Sequence, residues 1–277
     1  MKQIFVRKAD GGTEIFKEQK LRQSLKRSGV SASEVENIMR DIEHELFDGI
    51  TTEMLYRRAF DLMRELPQPT AARYSLRRAL FGLGPTGFPF EDFLAELYKH
   101  DGYQTKTRTI LRGKCTTHEV DVIAWKPGDC VVAEAKFHLQ PGTKSDVQVA
   151  LYTHARFLDL VDKTITKNSA HTVKRSAVIT NTKFTSAALE YGKCSGLELI
   201  GWDYPRGTSL QSWIERSKLY PVTVLASLKA REKTALMQSG TVLCRDIVDN
   251  KALLSSLGVT KGRIQAIFDE GNKLCTL

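Results

Sequence analysis

The chain has 277 residues, 42% hydrophobic and 26% charged, which suits one large or two to three small globular domains and excludes a low-complexity polymer. Lys and Arg outnumber Asp and Glu by 41 to 32, a formal charge of +9. That favours polyanionic partners, because basic side chains displace counterions from a phosphate backbone; charge alone suits a merely soluble basic protein equally well. No apolar run approaches bilayer length, the start MKQIFVRKADGG is no secretory leader, and the five cysteines are odd in number without any CxxC. A cytoplasmic protein with reduced thiols and no membrane partner is expected.

In chain order, residues 1–85 form the first predicted unit. Ile4-Phe5-Val6 and Thr13-Glu14-Ile15-Phe16 are strand candidates around a turn at Asp10-Gly11-Gly12. Helices are predicted over 18–28, over 32–47 from a cap at Ser31 or Ser33, and over 51–65 from Thr51 or Thr52. A last helix over 69–83 carries Pro69 in its first turn, and Gly82, Gly84 and Pro85-Thr86-Gly87 end it. The second unit, 86–205, alternates helix and strand. Its helix 90–100 is amphipathic, with Phe90, Phe93, Leu94 and Leu97 on one face and Glu96 on another. Strands over 103–112, 119–125 and 130–137, a helix over 144–162, a strand over 173–180, a helix over 184–194 and a strand over 197–202 predict a mixed sheet flanked by helices. Residues 206–277 read as a small all-α unit of short helices. The fold class is α/β (α+β).

The chemistry concentrates in one hairpin. His118-Glu119-Val120-Asp121-Val122-Ile123 alternates, so Glu119, Asp121 and Ile123 are expected on one face; Glu134 and Lys136 likewise share one on the next strand. The turn Lys126-Pro127-Gly128-Asp129 between them would bring Asp121 to Glu134 and Lys136. Two close carboxylates repel unless a divalent cation lies between them, and Mg²⁺ suits oxygen ligands that also meet phosphate. Lys136 could then orient the attacking water or counter charge on phosphorus. The competing expectation is a set of solvated charges on an open sheet face. His118 and His138 flank the hairpin, and neither is assigned as a ligand.

On these residues, 86–205 resembles the PD-(D/E)XK nuclease superfamily, most closely its Mrr-like restriction endonuclease branch. The resemblance implies that Asp121 and Glu134 bind Mg²⁺, that Lys136 assists the water, and that Glu96 is an accessory acid on the leading helix. Gln148 and Tyr152, one helical turn apart, match a pair that members often carry; ordinary helix-surface residues would look the same. Thr180-Asn181-Thr182-Lys183-Phe184-Thr185 is familiar from Mrr-like domains, and helix capping alone could account for it.

Residues 1–85 resemble the ATP-cone, through Val6-Arg7-Lys8-Ala9-Asp10-Gly11, Phe16-Lys17-x-x-Lys20-Leu21, Gly49-Ile50-Thr51-Thr52-Glu53 and Ala71-Ala72-Arg73-Tyr74. The resemblance implies ATP or dATP as an allosteric ligand held around Val6, Arg7, Lys8, Gly11 and Lys20. Ala9 stands where the family usually has a second basic residue, and no Walker-A motif implies hydrolysis. A basic hairpin that touches DNA directly is the competing expectation. In the last unit, Leu257-Gly258-Val259-Thr260-Lys261-Gly262-Arg263 is partly similar to helix-hairpin-helix turns that grip DNA phosphates; a plain helical bundle competes. Trp213, Leu219, Tyr220 and Leu225 are expected in the core.

The expected function is a Mg²⁺-dependent DNA endonuclease acting in restriction or repair, on double-stranded or branched DNA, under nucleotide control. A homodimer would supply the two centres that duplex cleavage needs. The alternatives are a non-cleaving, nucleotide-sensing DNA-binding protein with a nuclease-like fold, and a nuclease acting on RNA.

Overall fold

The computed structural model describes residues 3–8, 11–28, 30–66, 74–165 and 171–275. Asp10 of the predicted first turn, and Pro69 and Ala71-Ala72-Arg73 of the predicted fourth helix, lie outside them.

The first unit starts with β1 (Phe5–Arg7), β2 (Thr13–Ile15), α1 (Glu18–Arg27) and α2 (Ala32–His44), followed by β3 (Ile50–Thr51) and α3 (Thr52–Arg64). β1 pairs antiparallel with β2 and parallel with β3, a short strand that periodicity does not reveal. Ser31 closes a capping box with Glu34 at the start of α2, and Thr51 Oγ1 accepts from Met54 N–H at the start of α3. Val35, Ile38, Met39 and Ile42 face Leu25, Ala59 and Met63 in a small core of their own.

The next helix, α4 (Leu76–Phe81), belongs elsewhere. It precedes α5 (Phe88–His100), β4 (Gln104–Arg112), β5 (Thr117–Lys126) and β6 (Asp129–Lys136). Then come β7 (Lys144–Ser145), α6 (Val147–Leu160), β8 (Arg175–Thr180), β9 (Lys183–Phe184), α7 (Ser186–Ser195) and β10 (Glu198–Ile200). The five-stranded sheet has the order β10-β8-β6-β5-β4. β4, β5 and β6 pair antiparallel, whereas β6, β8 and β10 run parallel, so β6 is where the sheet changes sense. Gly128 takes φ +83°, the positive value a type II Pro-Gly turn requires, and pins the hairpin register at Lys126↔Asp129. Asp146 caps α6 through the N–H groups of Gln148 and Val149, and Thr185 caps α7.

The chain closes with α8 (Leu210–Ser217), a 3-10 turn at Val222–Val224, α9 (Ala230–Gln238), α10 (Cys244–Asp249), α11 (Ala252–Ser256) and α12 (Lys261–Cys275). Its packing crosses both sequence-read boundaries. One continuous core takes Leu76, Ala79 and Leu80 of α4, the Phe90/Phe93/Leu97 face of α5, Val122 and Ala133 of the sheet, and Trp213, Leu236 and Ile267 beyond it. Thr223 Oγ1 donates to the Ala79 carbonyl at 2.6 Å and joins the two ends of that core. Each fully buried Phe or Leu contributes about 1.5–3 kcal/mol to holding these layers together. Leu219, Tyr220 and Leu225 are buried as expected. No helix among the described residues is long and apolar enough to cross a membrane.

Candidate active site

Continued one step past Val122↔Ala133, the β5–β6 register sets Asp121 opposite Glu134. The ladder ends there. Asp121 Oδ2 itself accepts the Ala135 N–H at 2.8 Å, in place of a backbone carbonyl. Val120 and Ile123 share one core cluster while Val122 and Ala124 lie in the other, so the alternation expected to group Glu119, Asp121 and Ile123 slips at Asp121. The strand opposite is distorted too. Arg108, between the pairs Thr107↔Val122 and Thr109↔Val120, has φ +49°, a left-handed conformation costly for a residue with a Cβ. Such irregularities re-aim a side chain, here a carboxylate.

Burial pushes the Asp121 carboxyl up to about 6, and the charge of Glu134 adds to the push. The two acids are therefore close enough to repel through a poorly hydrated space. Glu134 Oε2 accepts from Arg156 Nη1 at 2.6 Å, with both side chains largely buried. Arg156 lies two turns beyond Gln148 and one beyond Tyr152 on α6, and its guanidinium sits 4.6 Å from the Tyr152 ring centroid. Gln148 is exposed in the first turn on the same helix face, and within the Gln148–Tyr152–Arg156 row it is Arg156 that reaches Glu134. Sequence reasoning missed Arg156; the Gln148–Tyr152 spacing continued by four residues would have found it.

Glu96 is not brought to this pair. Its carboxylate holds Lys99 at 2.6 Å and its field reaches Asp246, on the flank of α5 turned to the C-terminal helices. The α5 acid that faces Asp121 is Glu91. Burial raises its carboxyl to about 7 against the pull of Arg108, and the Asp121 charge adds to the rise. Arg108 Nη1 donates to Glu91 at 3.0 Å and Nη2 to Asp92 at 2.7 Å.

Lys136 ends β6 opposite Thr180 and makes no ion pair among the described residues. Its position is fixed from behind. The fully buried Asn181 accepts from His138 N–H at 2.9 Å and donates to the His138 carbonyl at 2.8 Å, clamping the chain two residues after Lys136. The Thr180-to-Thr185 segment thus does more than cap a helix. The His138 ring bonds Ser145 Oγ at 2.9 Å, and burial and Lys136 hold its pKa below the usual value. His118 pairs with Asp159 at 2.7 Å, and Asp159 also accepts from the N–H groups of Cys115 and Thr116, anchoring the β4–β5 turn.

In the first unit, Lys8 and Lys20 both reach Glu14, at 3.0 and 3.1 Å, beside the left-handed Gly11. Val6 is buried in β1, and Arg7 is exposed next to it. In the last unit Arg263 turns inward to Glu232, at 2.6 and 2.9 Å, and to the Ser227 carbonyl at 2.8 Å. That leaves its guanidinium committed within the chain, whatever Lys261 does.

A mixed sheet carrying an acid, an acid and a lysine at its change of strand sense, flanked by helices on both faces, is a restriction-endonuclease-like nuclease fold. Family profiles match "ATP cone domain" over residues 4–80, "Restriction endonuclease" over 85–206 and "AF1548-like, C-terminal" over 220–275. An uncharacterized protein of Archaeoglobus fulgidus is 34% identical over 182 residues, 65% of this chain and 99% of that one. The crystal structure of the Protein of Unknown Function AF1548 is 32% identical, with a TM-score of 0.57 over 69% of this chain and 99% of that chain. The MspJI restriction endonuclease in complex with a 27-mer oligonucleotide is more distant, at 16% identity and a TM-score of 0.36, over 72% of this chain and 39% of that one. The chain belongs to the family of these Archaeoglobus-type proteins: an Mrr-like restriction endonuclease domain, here behind an ATP cone.

Proposed function

We propose that this protein is a Mg²⁺-dependent DNA endonuclease of restriction or repair, tuned by ATP or dATP at its ATP cone. The observation that carries the proposal is the meeting of Asp121 and Glu134 where the β5–β6 ladder ends; there burial, and after it the Glu134 charge, pushes the Asp121 carboxyl up to about 6. The donor set fits a hard cation. Asp121 Oδ2 is taken by Ala135 and Glu134 Oε2 by Arg156, which leaves one oxygen on each carboxylate without a hydrogen bond among the described residues. No group of three or more His, Cys, Asp or Glu side chains among those residues could hold a metal, so water and phosphate would complete the shell, as Mg²⁺ prefers. When bound, the ion supplies a Lewis acid at the phosphoryl oxygen.

The chain's own groups do the rest. In hydrolysis a water oxygen bonds to phosphorus as the water gives up a proton, the P–O bond to one deoxyribose oxygen breaks, and that oxygen takes up a proton in turn. Lys136, held by the Asn181 clamp, counters the charge that builds on the phosphate oxygens and orients the water. Arg156 fixes the rotamer of Glu134, and Glu91, in place of Glu96, is the accessory acid. In the ATP cone, Lys8 and Lys20 would release Glu14 to meet a polyphosphate beside the Gly11 turn.

One observation favours the non-cleaving alternative: Arg156 already gives Glu134 a cation. The two are separated by incubating supercoiled, linear, branched and methylated DNA with and without Mg²⁺ and ATP. Mg²⁺-dependent cleavage that disappears in Asp121→Ala and Glu134→Ala supports the nuclease. Binding without cleavage under every condition leaves the DNA-binding module. Calorimetry with ATP, dATP and their diphosphates tests the ATP cone separately, and no heat with any of them removes nucleotide control.

A further inference from the structure

Beyond Asp121, β4 and β5 continue as a two-stranded ribbon that β6 no longer accompanies, since the β5–β6 ladder stops at Val122 while β4 and β5 stay paired to Arg112↔Thr117. The inner face of this ribbon is core: Leu111 is 6% and Val120 1% exposed. Its outer face carries Ile110, 73% exposed and the most exposed large apolar side chain among the described residues. Arg108 and Arg112 flank it along the strand, and Glu119 stands directly across from it. Arg108 is committed to Glu91 and Asp92, whereas Arg112 makes no ion pair among the described residues.

The ribbon is held firmly. Asp159, at the end of α6, accepts from the N–H groups of Cys115 and Thr116 and pairs with His118, and Gly113 approaches it so closely that an added Cβ would lie 2.1 Å from Asp159 Oδ2. Ile110 is β-branched and has few rotamers to lose, so ordering it against a partner costs little side-chain entropy. At about 3.4 Å per residue it stands roughly 7 Å along the strand from the position opposite Asp121, close to two base-pair rises. Other exposed apolar side chains ring the acids as well: Phe88 beneath the Arg108 guanidinium, and Tyr152 beneath Arg156.

We infer that the outer face of the β4–β5 ribbon is a DNA-reading surface, in which Ile110 presses against the bases of duplex DNA beside the phosphate presented to Asp121 and Glu134, and Arg112 holds the flanking backbone. The inference rests on the nuclease reading of that pair. Charge sorts the contacts. Glu119 repels phosphate and keeps the backbone off the middle of the ribbon, so bases lie over Ile110, while the unpaired guanidinium of Arg112 takes a phosphate two residues on. Stiff aliphatic wedges of this kind contact base steps, and a ribbon of two strands matches the width of a DNA groove.

The test is fluorescence anisotropy of the full chain on a labelled duplex in EDTA, over a series of salt concentrations, with thermal unfolding as a check on each variant. Ile110→Ala removes three carbons and is expected to weaken binding roughly tenfold, what withdrawing about two of them from water contributes, with the salt slope unchanged. Arg112→Ala is expected to flatten the slope of log K against log salt by about 0.9. Leu158→Ala, exposed on α6, is the control and should change neither. Wild-type affinity and slope in both ribbon variants overturn the inference, as does an absence of duplex binding by the wild-type chain. If the ribbon variants behave as expected but Mg²⁺ brings no cleavage, the nuclease reading fails and the ribbon stands. If cleavage occurs and the variants bind like wild type, the reverse holds.

Discussion

Arg156 closes on Glu134 at 2.6 Å, so the acid proposed to hold a divalent ion already has a buried cation beside it. The pair explains how two acids are tolerated within one fold without metal, because the guanidinium also pulls down on the Asp121 carboxyl. Removing Arg156 leaves Glu134 uncompensated. Arg156→Ala should cost about 3 kcal/mol of stability in EDTA. Saturating Mg²⁺ should recover much of the loss, so the Mg²⁺-induced rise in Tm is larger in the variant than in the wild type. An equal rise in both would show that metal and guanidinium do not share Glu134.

Asp121 has a folded pKa near 6, above the ordinary aspartate value of 3.8. A raised folded pKa means the fold prefers the protonated form; this preference stabilises below 3.8 and is lost as pH rises through 6. Above that pH the ionised carboxylate is a burden on the metal-free fold. Asp121→Asn should therefore unfold at a higher temperature than wild type at pH 7.5 in EDTA, while the two converge near pH 4. The variant should also lose the stabilisation that Mg²⁺ gives the wild type. A lower Tm for the variant at pH 7.5 would show that the Ala135 hydrogen bond outweighs repulsion.

Glu91 and Glu96 lie on one helix; the Asp121 charge bears on Glu91, whereas Glu96 holds Lys99. With cleavage as the readout, Glu91→Gln should reduce the Mg²⁺-dependent rate at least tenfold, about 1.4 kcal/mol in the barrier, whereas Glu96→Gln should remain within twofold of wild type. Equal losses in both would return the accessory role to the helix as a whole.

Asn181 makes two hydrogen bonds to the His138 backbone from a fully buried position. Asn181→Ala strands the partly buried N–H and carbonyl of His138, each worth about 1–3 kcal/mol. Its Tm should fall well below wild type. Asn181→Asp keeps the acceptor but sets a buried charged oxygen against the His138 carbonyl, so at pH 7.5 its Tm should fall at least as far by the same melting measurement.

Asp129 is held down at about 2 by Arg175, from an ordinary value of 3.8. A depressed folded pKa gives stability that is present above 3.8 and lost as pH falls through 2. Acid unfolding curves of Asp129→Asn should be displaced from wild type at neutral pH and converge with it near pH 2.

The hairpin was legible in the sequence because its determinants are local. Pro127-Gly128 fixes the turn, the turn fixes the register, and the register sets Asp121 against Glu134. The caps at Ser31, Thr51 and Thr185 are equally local, each satisfied within three residues. What the helix pattern left open was the flank of α5. At about 100° per residue, Glu91 and Glu96 stand roughly 110° to either side of the Phe90/Phe93/Leu94/Leu97 stripe, so periodicity cannot choose between them. Only packing against the sheet on one side and the C-terminal helices on the other decides which acid meets Asp121. The same holds for Arg156 and for the ribbon around Ile110. Their roles come from contacts between elements tens of residues apart, and burial, which sets the strength of those contacts, exists only once the layers have closed.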